Sequence, residues 1–81
     1  MANNSIIHQV IEKEIYLGRY LSSNYSEKIK ALEKKHKITT LSFVRLFEKG
    51  EMGDDADFFE WFALYKAKKH WEEKLSVLKA A

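Results

Sequence analysis

The chain contains no proline, and its only glycines stand at positions 18, 50 and 53. These two residue types disfavour a helix interior most strongly, so most of the sequence is free to form long helices. Apolar residues recur at steps of three and four almost throughout, as on one face of a helix, without the alternation of a strand. We therefore predict an all-α fold. The chain has 81 residues. We expect residues 1–81 to form a single domain, near the lower size limit for independent folding.

Capping signals divide the chain into a long N-terminal helix, a short middle helix and a long C-terminal helix. Asn4 or Ser5 is a suitable N-cap for the first helix, which we expect to end near His36 or Lys37. The middle helix follows from Thr40, and Gly50 suits the left-handed position that comes after many helix ends. These elements predict an antiparallel helical hairpin or bundle.

The boundaries and inner faces of the later helices can also be predicted. The C-terminal helix is expected to begin at Asp54 or Asp55, with Asp57 completing a capping box to Asp54, and to end near Leu78. The inner face of the middle helix is predicted to consist of Leu41, Val44 and either Phe43 or Phe47.

The middle of the first helix leaves two interpretations open. Gly18 and Ser22, which are small and four residues apart, would let another helix approach closely; alternatively, Gly18 and the polar residues 22–24 weaken or break the helix. An unbroken helix would be about 48 Å long, whereas a compact chain of this size is roughly 30 Å across. Its N-terminal end would then expose apolar side chains, and dimerisation would complete the fold. We predict the following dimer seam, whose steps of three and four alternate from Ile11 onwards: Ile7, Ile11, Ile15, Gly18, Ser22 and Tyr25.

Charge is segregated along the chain, although the formal net charge is only +2. Residues 28–37 contain five lysines and one glutamate, residues 48–60 contain six acids and one lysine, and residues 66–79 are basic again. Readers of nucleic acid usually add arginine for the base edges, and this chain has only Arg19 and Arg45. Nucleic-acid binding is therefore the less favoured interpretation of the basic runs.

The sequence shows no constellation for catalysis, metal or cofactor binding. There is no cysteine, and His8, His36 and His70 lack the short spacing of a zinc-binding helix. No serine is paired with an evident base. We therefore expect a protein that is not an enzyme and carries no metal or cofactor. The absence of a signal peptide or membrane span predicts a cytoplasmic protein.

The segment Phe47–Phe62 gathers acids and aromatic rings around two glycines. Capping explains the aspartates and core packing explains most of the rings, but the excess of rings favours an interface, where aromatic anchors are common. We predict that a partner contacts the following residues: Asp54, Asp55, Asp57, Phe58, Phe59, Trp61, Phe62 and Tyr65.

From Phe47 to Tyr65 the chain resembles a group of small prokaryotic all-helical proteins. They share the pattern Phe-Glu-x-Gly-Glu-(Leu/Met)-Gly-Asp-Asp-x-Asp-Phe-Phe-Glu-Trp. A looser match covers residues 32–36 and 39–40, and none lies before Tyr25. The group contains antitoxin-like partners encoded in toxin–antitoxin-type gene pairs. The resemblance implies a protein-interaction module that binds a small toxin-like protein encoded nearby. The alternative is a self-associating structural or regulatory oligomer.

Overall fold

Helix α1, Ala2–His36, runs without a break through Gly18 and the polar residues after it. The computed structural model describes residues 2–80, and the side chains of residues 5–80. The continuous interpretation of the first helix is thus confirmed. Because α1 already begins at Ala2, Asn4 and Ser5 lie inside it, and the prediction that one of them caps it is wrong. The helix ends at His36, and the next residue, Lys37, adopts a left-handed φ of 56°.

Helix α2, Thr40–Glu48, has well-defined ends. The Thr39 hydroxyl caps it by accepting a hydrogen bond from the Ser42 amide at 3.3 Å. At the other end Gly50 has a φ of 73°. Its amide donates to the Phe47 carbonyl at 3.0 Å, and the next amide donates to the Leu46 carbonyl at 2.9 Å. This Schellman arrangement confirms the predicted position of Gly50, because a left-handed residue there costs glycine little.

The inner face of α2 consists of Phe43 and Val44, which are buried, with Phe47 packed beside them. Leu41 does not belong to this face, since 65% of it is exposed. It lies in the first turn of α2, at the mouth of an open groove rather than beneath the helix. The prediction for Leu41 is therefore wrong.

Helix α3, Ala56–Ala80, begins one residue after its N-cap. The Asp55 carboxylate accepts a hydrogen bond from the Asp57 amide at 2.8 Å. Of the two predicted caps, Asp55 is thus the one used. Asp57 does not complete a capping box with Asp54, because its side chain turns towards α1 instead.

The two long helices pack against each other as an antiparallel hairpin, and α2 packs on α3 at one end. This confirms the all-α hairpin. The end that contains α2, here called the head, spans residues 25–65 and holds the main cluster of buried side chains. The rest, here called the stalk, consists of residues 5–24 of α1 and 66–80 of α3. In the stalk only Gly18 and Leu75 are buried among the described residues.

The hairpin makes the molecule long and thin. Its extents are 55 × 21 × 17 Å and its radius of gyration is 16.4 Å, against about 12 Å for a compact domain of this length. As predicted for a long first helix, the N-terminal half of α1 exposes large apolar side chains: Ile6, Ile7, Val10, Tyr16 and Leu17. Ile11 and Ile15, two residues of the predicted dimer seam, are half-buried.

Gly18 lies where side chains of α3 pack directly on α1. A Cβ atom at this position would lie 2.8 Å from Cε3 of Trp71 and 2.9 Å from Cδ2 of Leu75. Contacts this short require a neighbour to move, and a tryptophan ring packed against a helix has little freedom to do so. The glycine thus lets an aromatic side chain lie directly on the α1 backbone.

We expect Gly18→Ala to destabilise the protein despite its better helix propensity. Propensity favours alanine by about 1 kcal/mol, while overpacking costs about 1–3 kcal/mol. The net loss should therefore reach up to about 2 kcal/mol in chemical denaturation. Ser23→Ala, at an exposed site in the same helix, is the control and should stabilise slightly. A Gly18→Ala variant as stable as the control would contradict the close packing.

Candidate interaction surface

Trp61 is the centre of the head. No part of its side chain is exposed, and its ring stacks on Phe43 with centroids 4.0 Å apart and planes 1° from parallel. A buried indole requires an acceptor for its single N–H group. The acceptor is the Thr40 hydroxyl at 3.1 Å. The tryptophan of α3 is thereby tied to the first residue of α2.

The same threonine also binds α1. A single carboxylate oxygen of Glu33 accepts two hydrogen bonds from Thr40, one from its amide and one from its hydroxyl, both at 2.8 Å. The hydroxyl therefore donates to Glu33 while it accepts from Trp61. Hydrogen bonds to a charged acceptor are stronger than neutral ones, so this threonine joins all three helices at one point.

A second polar contact joins the end of α1 to the start of α3. Asp57 Oδ2 lies 2.6 Å from Lys35 Nζ and 3.0 Å from His36 Nε2. The hydrogen bonds from Lys35 and His36 hold the pKa of the Asp57 carboxyl below its usual value. The hydrogen bond to Asp57 and its negative charge raise the pKa of Lys35. The His36 ring also stacks over Trp61 and packs at a tilt against Phe58, which fixes its orientation.

Most of the side chains predicted to meet a partner serve the head itself. Trp61 is removed from the predicted surface because it is fully buried. Phe58, Phe62 and Tyr65 are half-buried and pack against the core, and Asp57 is engaged by α1. Of the predicted rings only Phe59 is largely exposed, at 57%.

What remains exposed in this segment is a set of four acids and Phe59, here called the acidic rim. Its members are exposed side chains at the start of α3 and in the preceding turn: Glu51, Asp54, Asp55, Phe59 and Glu60. Phe59 contacts the edge of Phe47, with ring centroids 5.6 Å apart. The rim therefore consists of one exposed aromatic ring, which packs against Phe47, and four carboxylates.

The predicted dimer seam lies on the side of α1 that faces α3 for much of its length. Gly18 is buried under Trp71, and Tyr25 packs against the core of the head. The prediction that Gly18 meets a second chain is therefore corrected, whereas that for Tyr25, which is half-buried, stays a prediction. Ile11, Ile15 and Ser22 are half-buried, and Ile7 is exposed.

A different line of α1 is apolar and exposed. Ile6, Val10 and Leu17 are 57%, 55% and 43% exposed. Their steps of four and seven place them on one side of the helix, roughly 100° around it from Gly18. We call these three residues the stalk stripe. The heptad pattern in the sequence did not indicate this side of the helix. The small and apolar residues on the neighbouring side match the heptad spacing over a longer stretch.

The head also contains an open groove between the three helices, with a volume of about 410 Å³. Two of the titratable side chains that line it already have partners. Glu33 is already bound by Thr40, and Lys68 lies 3.4 Å from Glu72. The described side chains contain no group of three or more that is placed to hold a metal ion.

No protein-family model, curated protein or solved structure matches this chain. Within residues 2–80, no helix combines the length and the apolar character that crossing a membrane requires. Residues 2–80 thus form three helices and carry two exposed surfaces of distinct chemistry, the acidic rim and the stalk stripe.

The Thr40 junction predicts a measurable loss on removing one hydroxyl. Thr40→Val should leave the Trp61 N–H without its acceptor and destabilise the protein by about 1–3 kcal/mol. Thr40→Ser keeps the hydroxyl and is the control, with most of the stability retained in denaturant titrations. Equal stability of the valine and serine variants would show that the junction contributes nothing.

Asp57 predicts a stability difference that depends on pH. Since its pKa is lowered in the folded state, ionised Asp57 stabilises the fold above its unfolded pKa of about 3.9, and this contribution disappears as pH falls through the folded value. Since the pKa of Lys35 is raised, the contribution of the pair also declines in strongly alkaline solution. The gap in unfolding free energy between the wild type and Asp57→Asn should thus be widest near neutral pH and narrow below about pH 4.

The matched control for that comparison is Asp54→Asn, at an exposed aspartate in the same acidic segment. It should show little change in its gap to the wild type across the acid range. A gap for Asp57→Asn that stays constant down to about pH 2 would contradict the role of the carboxylate charge.

Proposed function

We propose that this protein is a non-enzymatic protein-interaction module of the cytoplasm. The observation that carries the proposal is the row of large apolar side chains left exposed along the first half of α1. Three of them, Ile6, Val10 and Leu17, share one side of the helix. Soluble monomers rarely expose contiguous apolar patches, and such patches commonly mark contact sites for other proteins.

The elongated shape supports the same proposal. Small globular domains usually wrap their helices around one core, whereas here the core lies in the head. The stalk adds length and surface but few buried side chains. A two-helix stalk of this kind is well suited to binding along its side, because helices pack readily against helices.

The acidic rim supports a partner of particular chemistry. Its carboxylates at Asp54 and Asp55 and its exposed Phe59 suit a small basic protein, since opposite charge speeds encounter and an aromatic ring can be buried afterwards. Such a partner agrees with the resemblance to antitoxin-like proteins, and we propose a small toxin-like protein encoded nearby. The absence of cysteine suits a reducing compartment.

The second candidate is a self-associating structural or regulatory oligomer. The stalk stripe favours it independently of the acidic rim. Weak nucleic-acid binding has less support, because several lysines already contact carboxylates: Lys35, Lys68 and Lys74. Such lysines must give up an existing ion pair before they bind phosphate.

The proposal predicts a complex with the product of the adjacent gene. Co-expression followed by light scattering should give one species that contains both chains. Phe59→Ser should weaken the complex by roughly tenfold or more in titration calorimetry, because an interface anchor is lost. Val77→Ser is the matched control, since Val77 is 70% exposed and lies on α3 in the stalk, away from the rim.

Separate elution of the two chains at tens of micromolar would overturn the toxin-like partner. If Phe59→Ser and Val77→Ser weaken the complex equally, the assignment of the partner to the rim is wrong. The loss would then follow from removing any exposed apolar side chain.

A further inference from the structure

We infer that the stalk stripe is covered by a second copy of this chain, in an antiparallel four-helix arrangement of two stalks. This inference rests on the proposed function, because the apolar surface that supports the proposed function is the surface whose partner is named here. It concerns a different region from the acidic rim, so the two are tested separately.

The stalk is a single layer of two helices, and α3 covers only one side of α1. Gly18 lies under Trp71 on the covered side. The stripe lies roughly 100° around the helix, so another element can dock beside the hairpin without disturbing it. Glu14 and Lys74 form an ion pair at 3.0 Å between the two helices, and Lys74 also lies 4.5 Å from the ring centroid of Trp71. The face of the hairpin next to the stripe is therefore already ordered.

Charge favours a copy of this chain over an acidic or a basic partner. Between residues 5 and 24, α1 carries Glu12 and Glu14 against Lys13 and Arg19. This half of the helix thus has no net charge, whereas the rest of the protein is strongly segregated. Lys13 flanks the stripe between Val10 and Leu17, and the neighbouring Glu12 and Glu14 balance its charge. A stretch without net charge neither repels itself strongly nor attracts a charged protein, and a two-fold dimer brings the same patch together from both chains.

The same line of α1 decides the orientation. Continued towards the head, it passes through Asn24, Lys28 and Lys35. A parallel dimer would set each of these lysines beside its own copy, which is unfavourable. An antiparallel dimer centred on the stripe places them at opposite ends, outside the contact.

The area available is sufficient. Twenty helical residues are about 30 Å long, and the molecule is 21 Å across. One stalk face therefore offers roughly 600 Å² per chain, which reaches the lower limit of the usual size of specific interfaces. Two hairpins stacked in this way form a four-helix bundle, a common arrangement for helices of this length.

The experiment is sedimentation equilibrium on the full chain alone, over a range of concentrations. The wild type should sediment as two copies. Leu17→Glu should weaken the dimer by roughly tenfold or more, with its helix content checked by circular dichroism. Tyr16→Glu is the matched control, because Tyr16 is the neighbouring residue and is 77% exposed, but lies off the stripe. It should remain dimeric.

Val10→Ser is a second stripe variant, which decides the matter if Leu17→Glu fails to fold. A wild type that is monomeric at about 100 µM would overturn the inference, and so would equal weakening by the control. If the protein is monomeric and Leu17→Glu abolishes binding of a different protein, the stripe is not covered by a second copy of this chain. That result would still support the proposed function.

Orientation is tested by spin labels on a single cysteine, which the cysteine-free sequence allows. With Lys28→Cys, an antiparallel dimer centred on the stripe should separate the two labelled positions by roughly 50 Å. Labels side by side would overturn the antiparallel arrangement.

Discussion

The hydrogen bonds of Thr40 hold the head together. This residue begins α2, and its hydroxyl accepts from Trp61 of α3 and donates to Glu33 of α1. Trp61 can be fully buried only because its N–H group has this acceptor, and the flat contact with Phe43 follows from its position. One small polar side chain thus fixes the relative placement of three helices in a domain with few buried residues.

Part of the charge segregation in the sequence has a structural explanation. The end of α1 and the start of α3 meet in the antiparallel hairpin, so Lys35 and His36 come to lie beside Asp57. Cations suit the C-terminal end of a helix and acids suit the N-terminal end. The charge pattern therefore stabilises the joint between the two long helices, and only the acids that point away from it are left for other molecules.

The sequence predicted the parts of the fold that depend on local chemistry. Helical spacing gave the three helices, and Gly50 gave the end of α2, because these signals act over a few neighbouring residues. Contacts between distant segments were not predictable. Nothing local distinguishes Leu41 from a core residue, or assigns Asp57 to Lys35, and the side of α1 that α3 covers depends on Gly18 meeting Trp71.

The concentration of buried side chains in the head implies a gradient of local stability along the rod. The backbone near Trp61 and Phe43 can open only when the core is disrupted. From Ser5 to Val10, by contrast, every side chain of α1 is exposed, so those turns are free to fray without disturbing the rest. Amide protons there should exchange with solvent many times faster than those of the head. Any molecule that binds this end of α1 would also order it, and the binding would be detected as slower amide hydrogen exchange.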